Sequence, residues 1–533
     1  MRILTCDEVR QAALQVASGP QVSTLLLKQR AGYAAAQFCL AHFKFRSVCV
    51  VCGESEIGGA GLAAAQALSR VSEDVFVMLL ATALGELNPD AQALSSQLAA
   101  GPIWLGDEAG FESEAVQQAL AADLIIDAIA GCGSPLPLDG LALRAVRAIN
   151  DVSGTVVSLD LPAGVDGDGK APMLENASDL VFAHGIVTFV APKPAHVFGE
   201  LTSGPVAVSE LGVQPALVSN QTRLEVVTAQ EVGITFPPRT GDSHKGDFGH
   251  VLVIAGSRGK AGAAGLAGMA ALCAGAGLVT VACPESIQQT VAGFAPELMT
   301  EGLPETDSGT IALDAAGKMD SLLAGKDAIV LGPGISGNHQ TAEYVRNLVA
   351  GCRLPLVLDA DGLNAFAGHY GELKPRGDAA PFRVLTPHPG EAARLTGTTI
   401  KDVQADRVGV ARHISRETGS CAVLKGWRTI ISGASGETWI NMTGNPAMAK
   451  GGAGDVLSGI IGAALARRRE TSSAFLHDLH VAAAVYLHGL TGDLSRDILH
   501  ENTVLATDLL ENLAEAFRDC ESQIERGLFY LHK

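Results

Sequence analysis

Aromatic side chains are scarce in this sequence: they make up 5% of its 533 residues, and only three are tryptophan. A core without many large rings must be closed by small and branched aliphatic residues. The 47% apolar content and 61 glycines suit close-packed α/β layers and exclude an intrinsically disordered chain. Positive charge is also short. Lys and Arg number 38 against 57 Asp and Glu, a formal net charge of −19. Beyond Arg467-Arg468-Arg469 there is no basic cluster. That balance repels nucleic-acid phosphates and acidic lipid surfaces, so neither is an expected partner and a small-molecule ligand is.

An apolar leader is missing too. Met1-Arg2-Ile3-Leu4-Thr5-Cys6-Asp7-Glu8 puts acids where a signal peptide needs an apolar run, which points to the cytoplasm. One window, Ala261 to Cys283, is free of charge and long enough on paper to span a bilayer. Its Gly/Ala content instead predicts a helix packed tightly on a sheet, followed by a strand over Leu278–Ala282; no membrane contact is expected. Metal-type groupings are absent as well. The ten cysteines are scattered, and Cys49 and Cys52 lie in the apolar run Ser47–Cys52. Residues three apart in a strand face opposite sides, so these thiols belong to a core strand rather than a redox motif. His477, His480 and His488 fall in a helical apolar pattern with no acidic partner at zinc-site spacing.

What is present is a repeated alternation of strand and helix. The length suggests two to four domains, and two large ones fit best. Helical patterns over Asp7–Val16 and Leu25–Phe43 precede a strand at Val48–Cys52, then the glycine-rich stretch Gly53–Gly61 and a helix to Ser69. Further strands are predicted at Val75–Leu80, Leu124–Ala128, Val156–Leu161 and Gly185–Val190. Parallel sheets flanked by helices follow, and their ligands bind beyond the carboxyl ends of strands. Gly53–Gly61, Asp127–Pro135 and Asp160–Asp166 all sit there. Taken singly, such stretches are more often turns or helix caps than sites.

The pattern thins between Gly212 and Pro238, with Pro215, Pro237 and Pro238 as breakers. This predicts domains of 1–222 and 223–533. In the second, strands at His250–Ala255, Ala328–Leu331, Leu356–Leu358, Val384–Leu385 and Val423–Leu424 each run into polar or glycine-rich punctuation. Gly332-Pro333-Gly334, Asp359 to Asn364, Thr386 to Glu391 and Lys425 to Thr429 are therefore delivered to one rim, as an active site in an open sheet requires. Lys425 and Thr429 could contact nucleotide phosphates, and His388 could donate to a substrate. The spacing after the strand at 250 matches neither a dinucleotide fingerprint nor a Walker loop, which disfavours a Rossmann dehydrogenase.

The strongest stretch is Asn445 to Gly459, where Gly451-Gly452-Ala453-Gly454-Asp455 empties into an apolar helix. Glycines let the backbone approach a phosphate, and the free N–H groups of a first helical turn favour negative charge. Asp455 could cap that helix or act as a general base beside an anion pocket.

With these residues in view, the first half resembles the hydrate epimerase family, which interconverts the two epimers of hydrated NADH or NADPH. The resemblance rests on Leu25–Gly32, Gly53–Gly61, DAIAGCGSP, DLPAGVD and Ala191-Pro192-Lys193-Pro194. It implies that Asp127 is a potassium ligand and that Asp160 is the carboxylate at the substrate. The family's Asn-Asn-Gly-Gly-Asp loop is replaced by Glu56-Ile57-Gly58-Gly59-Ala60, and its Pro-Ser-Gly by Pro162-Ala163-Gly164. Two of three cation ligands are lost, so a weak or inactive epimerase retained as a scaffold is expected.

Residues from about 228 to 533 resemble the NAD(P)H-hydrate dehydratase family of the ribokinase-like fold. The matching pieces are HKGDFG, GPG, DADGLN, TPHPGE, LKG with Thr429, GNPAMAKGGAGDVLSG, and the helix segment Val485 to Gly489. The family has threonine where Lys450 and Ala453 stand; the lysine could add affinity for phosphate. The implied fold class is α/β with two doubly wound domains, Rossmann-like then ribokinase-like. The match implies that Lys425, Gly426, Trp427, Arg428, Thr429, Gly452, Ala453 and Gly454 bind ADP or ATP with Mg2+. It also implies that Ala263, Gly334, His388 and Asp455 face the hydrated nicotinamide, with Asp455 as base. Bacterial members use ADP and eukaryotic ones ATP, and the two-domain layout makes ADP the expected donor here; a homo-oligomer is the expected assembly. A small-molecule kinase of the same fold is the alternative, its first half a non-catalytic binding module.

Overall fold

The computed structural model describes every residue except 20–21, 73, 170–178, 214–220, 375–380, 468–472 and 532–533. Pro215, Arg468 and Arg469 lie outside the described residues. The chain forms two compact units, Met1–Leu224 with Gly527–Lys533, and Glu225–Arg526. Where 223–533 was expected to be one domain, the strand Leu528–Tyr530 adds to the first unit's sheet beside Val206–Ser209. That edge otherwise presents unpaired backbone N–H and C=O groups, which a short apolar strand can satisfy.

The first sheet has eight strands, all parallel. Ser47–Cys52 is central, its last five residues buried, the mark of a strand covered on both faces. From it the chain builds outward through Asp74–Leu79 to Ile103–Trp104, then returns to the other side with Leu124–Ala128, Thr155–Leu159 and Gly185–Phe189. The reversal lies between Ser47–Cys52 and Leu124–Ala128. The ends of these two strands therefore flank the crevice that such a reversal opens.

One expectation fails locally. Of Gly53–Gly61, only Gly53 to Ser55 is a loop, because the helix Glu56–Leu68 begins earlier. Its glycines serve packing. A Cβ at Gly61 would stand 2.5 Å from the Ala128 side chain, so the helix lies close on the sheet.

In the second unit the parallel strands run in the order Cys421–Leu424, Arg383–Leu385, Leu356–Leu358, Ala328–Leu331, His250–Ile254, Leu278–Pro284 and Met299–Leu303. Antiparallel strands Ile430–Ser432 and Thr438–Ile440 extend the first of these edges. The order in which strands are added reverses between His250–Ile254 and Ala328–Leu331. The uncharged window forms the helix Ala261–Cys273 and the strand Leu278–Pro284. This helix packs against Ala453–Ala466, and a Cβ at Gly459 would lie 2.3 Å from the Ala267 carbonyl oxygen. Small residues are what allow two helices so close. Among the described residues no helix is long and apolar enough to cross a membrane.

Candidate active site

Gly452 opens the helix Ala453–Ala466 with φ of 98°, a left-handed conformation that a β-carbon would strain. No side chain caps this helix, and Asp455 lies in its first turn rather than at the cap position. The capping reading of Asp455 is thereby set aside. Its carboxyl is pushed up from 3.8 to about 7, first by burial and then by the negative charge of Asp359, with Lys425 opposing and Asp361 adding. A carboxyl poised there can accept a proton near neutrality.

Beneath the glycine loop lies a buried ion pair. Lys425, at the end of Cys421–Leu424, places Nζ 2.7 Å from Asp359 Oδ1 and 3.8 Å from Glu391 Oε2. The hydroxyl of Thr386 donates to Asp359 Oδ1 at 2.7 Å, and that of Ser458 donates to Oδ2 at 2.6 Å. Burial would raise the Asp359 carboxyl, but Lys425 and these donors outweigh it and hold it below the usual range. Burial likewise works against the Lys425 ammonium, yet Asp359 and Glu391 raise it overall. A β-carbon at Gly454 would be 3.5 Å from Lys425 Nζ, so the ammonium sits directly under the loop.

The other expected residues converge on the same rim. Ala263 and Gly334 meet at the strand-order reversal, where a β-carbon on Gly334 would stand 2.8 Å from that of Ala263. Lys260 reaches Asp361 at 3.4 Å. His388 caps the helix Pro389–Thr396, its Nδ1 accepting from the amides of Gly390 and Glu391. That leaves Nε2 as the protonated nitrogen, 3.4 Å from Glu391 Oε1. Burial and Lys425 lower the His388 pKa against the pull of Glu391, so the ring is neutral at pH 7. Trp427 is exposed, with the Arg428 guanidinium 5.0 Å over its ring. Thr429 turns its hydroxyl to the Gly426 carbonyl at 2.9 Å. Lys450 is exposed and donates to the Asn502 carbonyl at 2.7 Å, rather than into the loop.

Two further side chains, neither singled out in the sequence as a site residue, hold the loops of this rim. Arg407 donates to the carbonyls of Trp427, Leu424 and Lys425 at 2.6, 3.2 and 3.3 Å, clamping the 425–429 turn. His488, placed above in a helical apolar pattern, has its Nε2 2.9 Å from the Ala453 carbonyl. Burial lowers its pKa to about 4, so it is neutral and tethers the anion loop from below.

In the first unit, Asp160 adopts φ of 68° at a strand end and is buried with Lys193. Lys193 Nζ pairs with Asp160 Oδ1 and donates to Thr188 Oγ1 at 2.8 Å and the Phe189 carbonyl at 3.0 Å. Burial opposes ionisation of Asp160, but Lys193 outweighs it and keeps the carboxylate charged. His196 accepts the Lys193 amide at Nδ1, so its Nε2–H donates to the Asp160 carbonyl at 2.7 Å.

The expected potassium site does not assemble. Asp127 is fully buried, and its carboxylate accepts from Ser158 Oγ, the Ala163 amide and the Ile129 amide at 2.8, 2.9 and 3.1 Å. Ala163 offers an N–H toward Asp127 where the ion would need an oxygen. Ile57 fills its position with carbon, beside Gly131 and Asp160. Burial raises the Asp127 pKa to about 6 despite those three donors. The residues present do not fit a potassium ion; Asp127 ties the ends of Leu124–Ala128 and Thr155–Leu159 together instead. Among the described residues no group of three or more His, Cys, Asp or Glu could hold a metal.

Comparison with known proteins places both units. Residues 251–515 match the family described as NAD(P)H-hydrate dehydratase, and residues 24–195 match the family described as YjeF-related protein N-terminus. Bifunctional NAD(P)H-hydrate repair enzyme Nnr of Moorella thermoacetica is 34% identical, over 98% of this chain and 98% of its own. Its Escherichia coli counterpart is 31% identical over 95% and 92%. ADP/ATP-dependent NAD(P)H-hydrate dehydratase from Bacillus subtilis, co-crystallised with ATP/Mg2+, is 30% identical; the match covers 56% of this chain and 98% of that one, with a TM-score of 0.48. The chain belongs to the family of bifunctional NAD(P)H-hydrate repair enzymes.

Proposed function

We propose that the second unit is an adenine-nucleotide-dependent dehydratase that returns hydrated NADH or NADPH to the reduced nicotinamide, with ADP as the expected donor. The observation that carries this reading is Asp455: a carboxyl raised to about 7 at an uncapped helix start, over the Lys425–Asp359 pair. Hydroxide is a poor leaving group. The bound nucleotide, with its magnesium ion, would supply the phosphoryl group that converts the C6 hydroxyl into a good one.

Asp455 takes the hydroxyl proton as the P–O bond to the C6 oxygen forms; the nucleotide's terminal phosphoanhydride bond would break, releasing AMP from ADP, and phosphate would then leave C6 as a proton leaves C5, restoring the ring double bond. Backbone amides of Gly452 to Gly454 cradle the phosphate, and Lys425 supplies positive charge beneath them. Neutral His388 donates from Nε2 toward the hydrated ring. Ala263 and Gly334, both small, leave room for that ring at the strand reversal. The 425–429 turn, clamped by Arg407, offers its amides and the Trp427 face to the nucleotide. With no protein cage for a metal among the described residues, magnesium would arrive on the nucleotide's phosphates.

The first unit keeps a charged, buried Asp160–Lys193 pair but lacks the cation oxygens. Our reading is slow, potassium-independent epimerisation at most. The cytoplasm and a homo-oligomer remain the proposed setting.

The test is to supply hydrated NADH with ADP, then with ATP, and follow the return of reduced-nicotinamide absorbance. No return with either nucleotide overturns the reading. Asp455→Asn should lower turnover by roughly 10²–10⁴-fold, the usual worth of a general base, while nucleotide binding by calorimetry survives. Retained turnover would remove Asp455 from the mechanism.

A further inference from the structure

Two of the ten cysteines differ from the rest. Cys39 and Cys49 are buried with thiols pushed up to about 12 by burial, and Cys52 and Cys421 are likewise buried and raised, which makes them inert packing residues. Cys6 and Cys132 are instead partly exposed, and they are joined to each other across 126 residues of chain with Cα atoms 5.1 Å apart. That separation suits a disulfide without backbone movement.

The pair sits where three segments around Asp160 meet. Cys132 lies in the turn after Leu124–Ala128, and its amide donates to Asp160 Oδ2 at 3.0 Å. The same turn is closed by the Ser134 amide on the Gly131 carbonyl and by Ser134 Oγ accepting from the Gly131 amide, both at 3.1 Å. Cys6 begins the helix Cys6–Ala17, and its amide donates to Asp168 Oδ1 at 2.9 Å. Both sulfurs rest on a small apolar cluster of Leu161, Val165 and Ala195, separate from the main core. A β-carbon at Gly167 would be 2.5 Å from Cys6 Sγ, so the Asp166–Gly169 turn is pressed against the bridge.

We infer that Cys6 and Cys132 form a reversible thiol–disulfide site that ties the Gly131–Ser134 turn, whose Cys132 amide donates to the Asp160 carboxylate, to the start of the helix Cys6–Ala17. The chemistry is exchange with a low-molecular-weight disulfide. A thiolate of the pair attacks that disulfide and forms a mixed disulfide, expelling one thiolate. The second cysteine then attacks the mixed sulfur, forms the internal bond and expels the other. Two protein thiols lose two electrons and two protons, and the small disulfide becomes two thiols; a dithiol reverses the sequence. When the bridge opens, the turn retains its hydrogen bonds to Asp160 and within itself but loses its covalent tie to the helix start.

The full chain is equilibrated in glutathione buffers from fully oxidised to fully reduced, then quenched with an alkylating reagent for peptide mass spectrometry. In parallel, amide hydrogen exchange is followed over residues 129–134. The expected result is a Cys6–Cys132 linked peptide in the oxidised buffers and two alkylated cysteines in the reduced. Exchange of the 129–134 amides should be at least tenfold faster when reduced, with exposed Cys273 as the control for a thiol that carries only a glutathione mixed disulfide in the oxidised buffers and is alkylated in the reduced. Cys6→Ser and Cys132→Ser should each show the fast exchange in both buffers. If both cysteines stay alkylatable in the most oxidising buffer, or the wild-type turn exchanges equally in both, the inference fails. The wild-type comparison decides even if a variant misfolds, and neither readout depends on turnover at Asp455.

Discussion

Asp359→Asn isolates the electrostatics of the dehydratase site. The substitution keeps the shape of the side chain and an acceptor for Ser458 or Thr386, but removes the charge that neutralises Lys425. Asp455 stands at about 7 instead of 3.8, and burial is the largest reason, followed by Asp359. The groups facing it are Asp359, Asp361 and Lys425, with Lys260 paired to Asp361 and with Glu391 and His388 grouped around Lys425. At an effective dielectric constant of about 20, a like charge about 8 Å away is worth about 2 kcal/mol, or one pH unit or somewhat more. Losing Asp359 removes that repulsion and leaves the ammonium free to stabilise the Asp455 carboxylate. Both effects act downward. A base must be ionised to work, so wild-type turnover should rise with pH through about 7, and the variant's acid limb should lie about one unit lower. The assay is the pH profile of nicotinamide recovery from hydrated NADH at saturating ADP. A lower rate with an unmoved acid limb would show that Asp359 acts only as scaffold and would refute the electrostatic argument.

Lys425→Met leaves Asp359 buried without its partner, which should cost roughly 3–5 kcal/mol of stability, read by denaturant unfolding at pH 7, and should abolish turnover. The loss should lessen on acidification, because a carboxyl robbed of its lysine becomes easier to protonate. Gly452→Ala places a β-carbon at φ of 98° and within 3 Å of Leu266 and Ala506 side chains. It should cost about 1–3 kcal/mol and weaken ADP binding, measured by calorimetry, with little effect on the binding of hydrated NADH. In the first unit, interconversion of the hydrate epimers by the full-length Asp455→Asn protein should be slow and equal in potassium and sodium buffers. Rapid, potassium-stimulated epimerisation would contradict the filled surroundings of Asp127.

The strands and their terminal loops were legible because buried parallel strands read as short apolar runs ending in glycine, proline or acid. Leu124–Ala128, Ala328–Leu331 and Leu356–Leu358 lie where their apolar runs predicted. The partners of these strand-end residues were not legible. Nothing local in Lys193 announces that it neutralises Asp160, nor in Arg407 that it gathers three carbonyls, because such pairings depend on strand order. Gly53–Gly61 misled for a related reason: glycine marks both turns and helix faces packed at close range, and only the neighbouring Ala128 and Cys52 decide between them. Cys6 and Cys132 likewise carry no shared motif across their 126-residue separation.

The return of Leu528–Tyr530 to the first sheet bears on how the protein is made. During synthesis the first unit leaves the ribosome with Val206–Ser209 as a bare edge, and its covering strand is translated only after the entire second unit. An unpaired parallel edge is a template for pairing with other chains, so the nascent protein is most exposed to misassembly in that interval. It also means that a frameshift or premature stop near residue 527 would spare the glycine loop and Asp455 while uncovering the sheet that carries Asp160. Damage at one end of the gene would be felt in the domain encoded at the other.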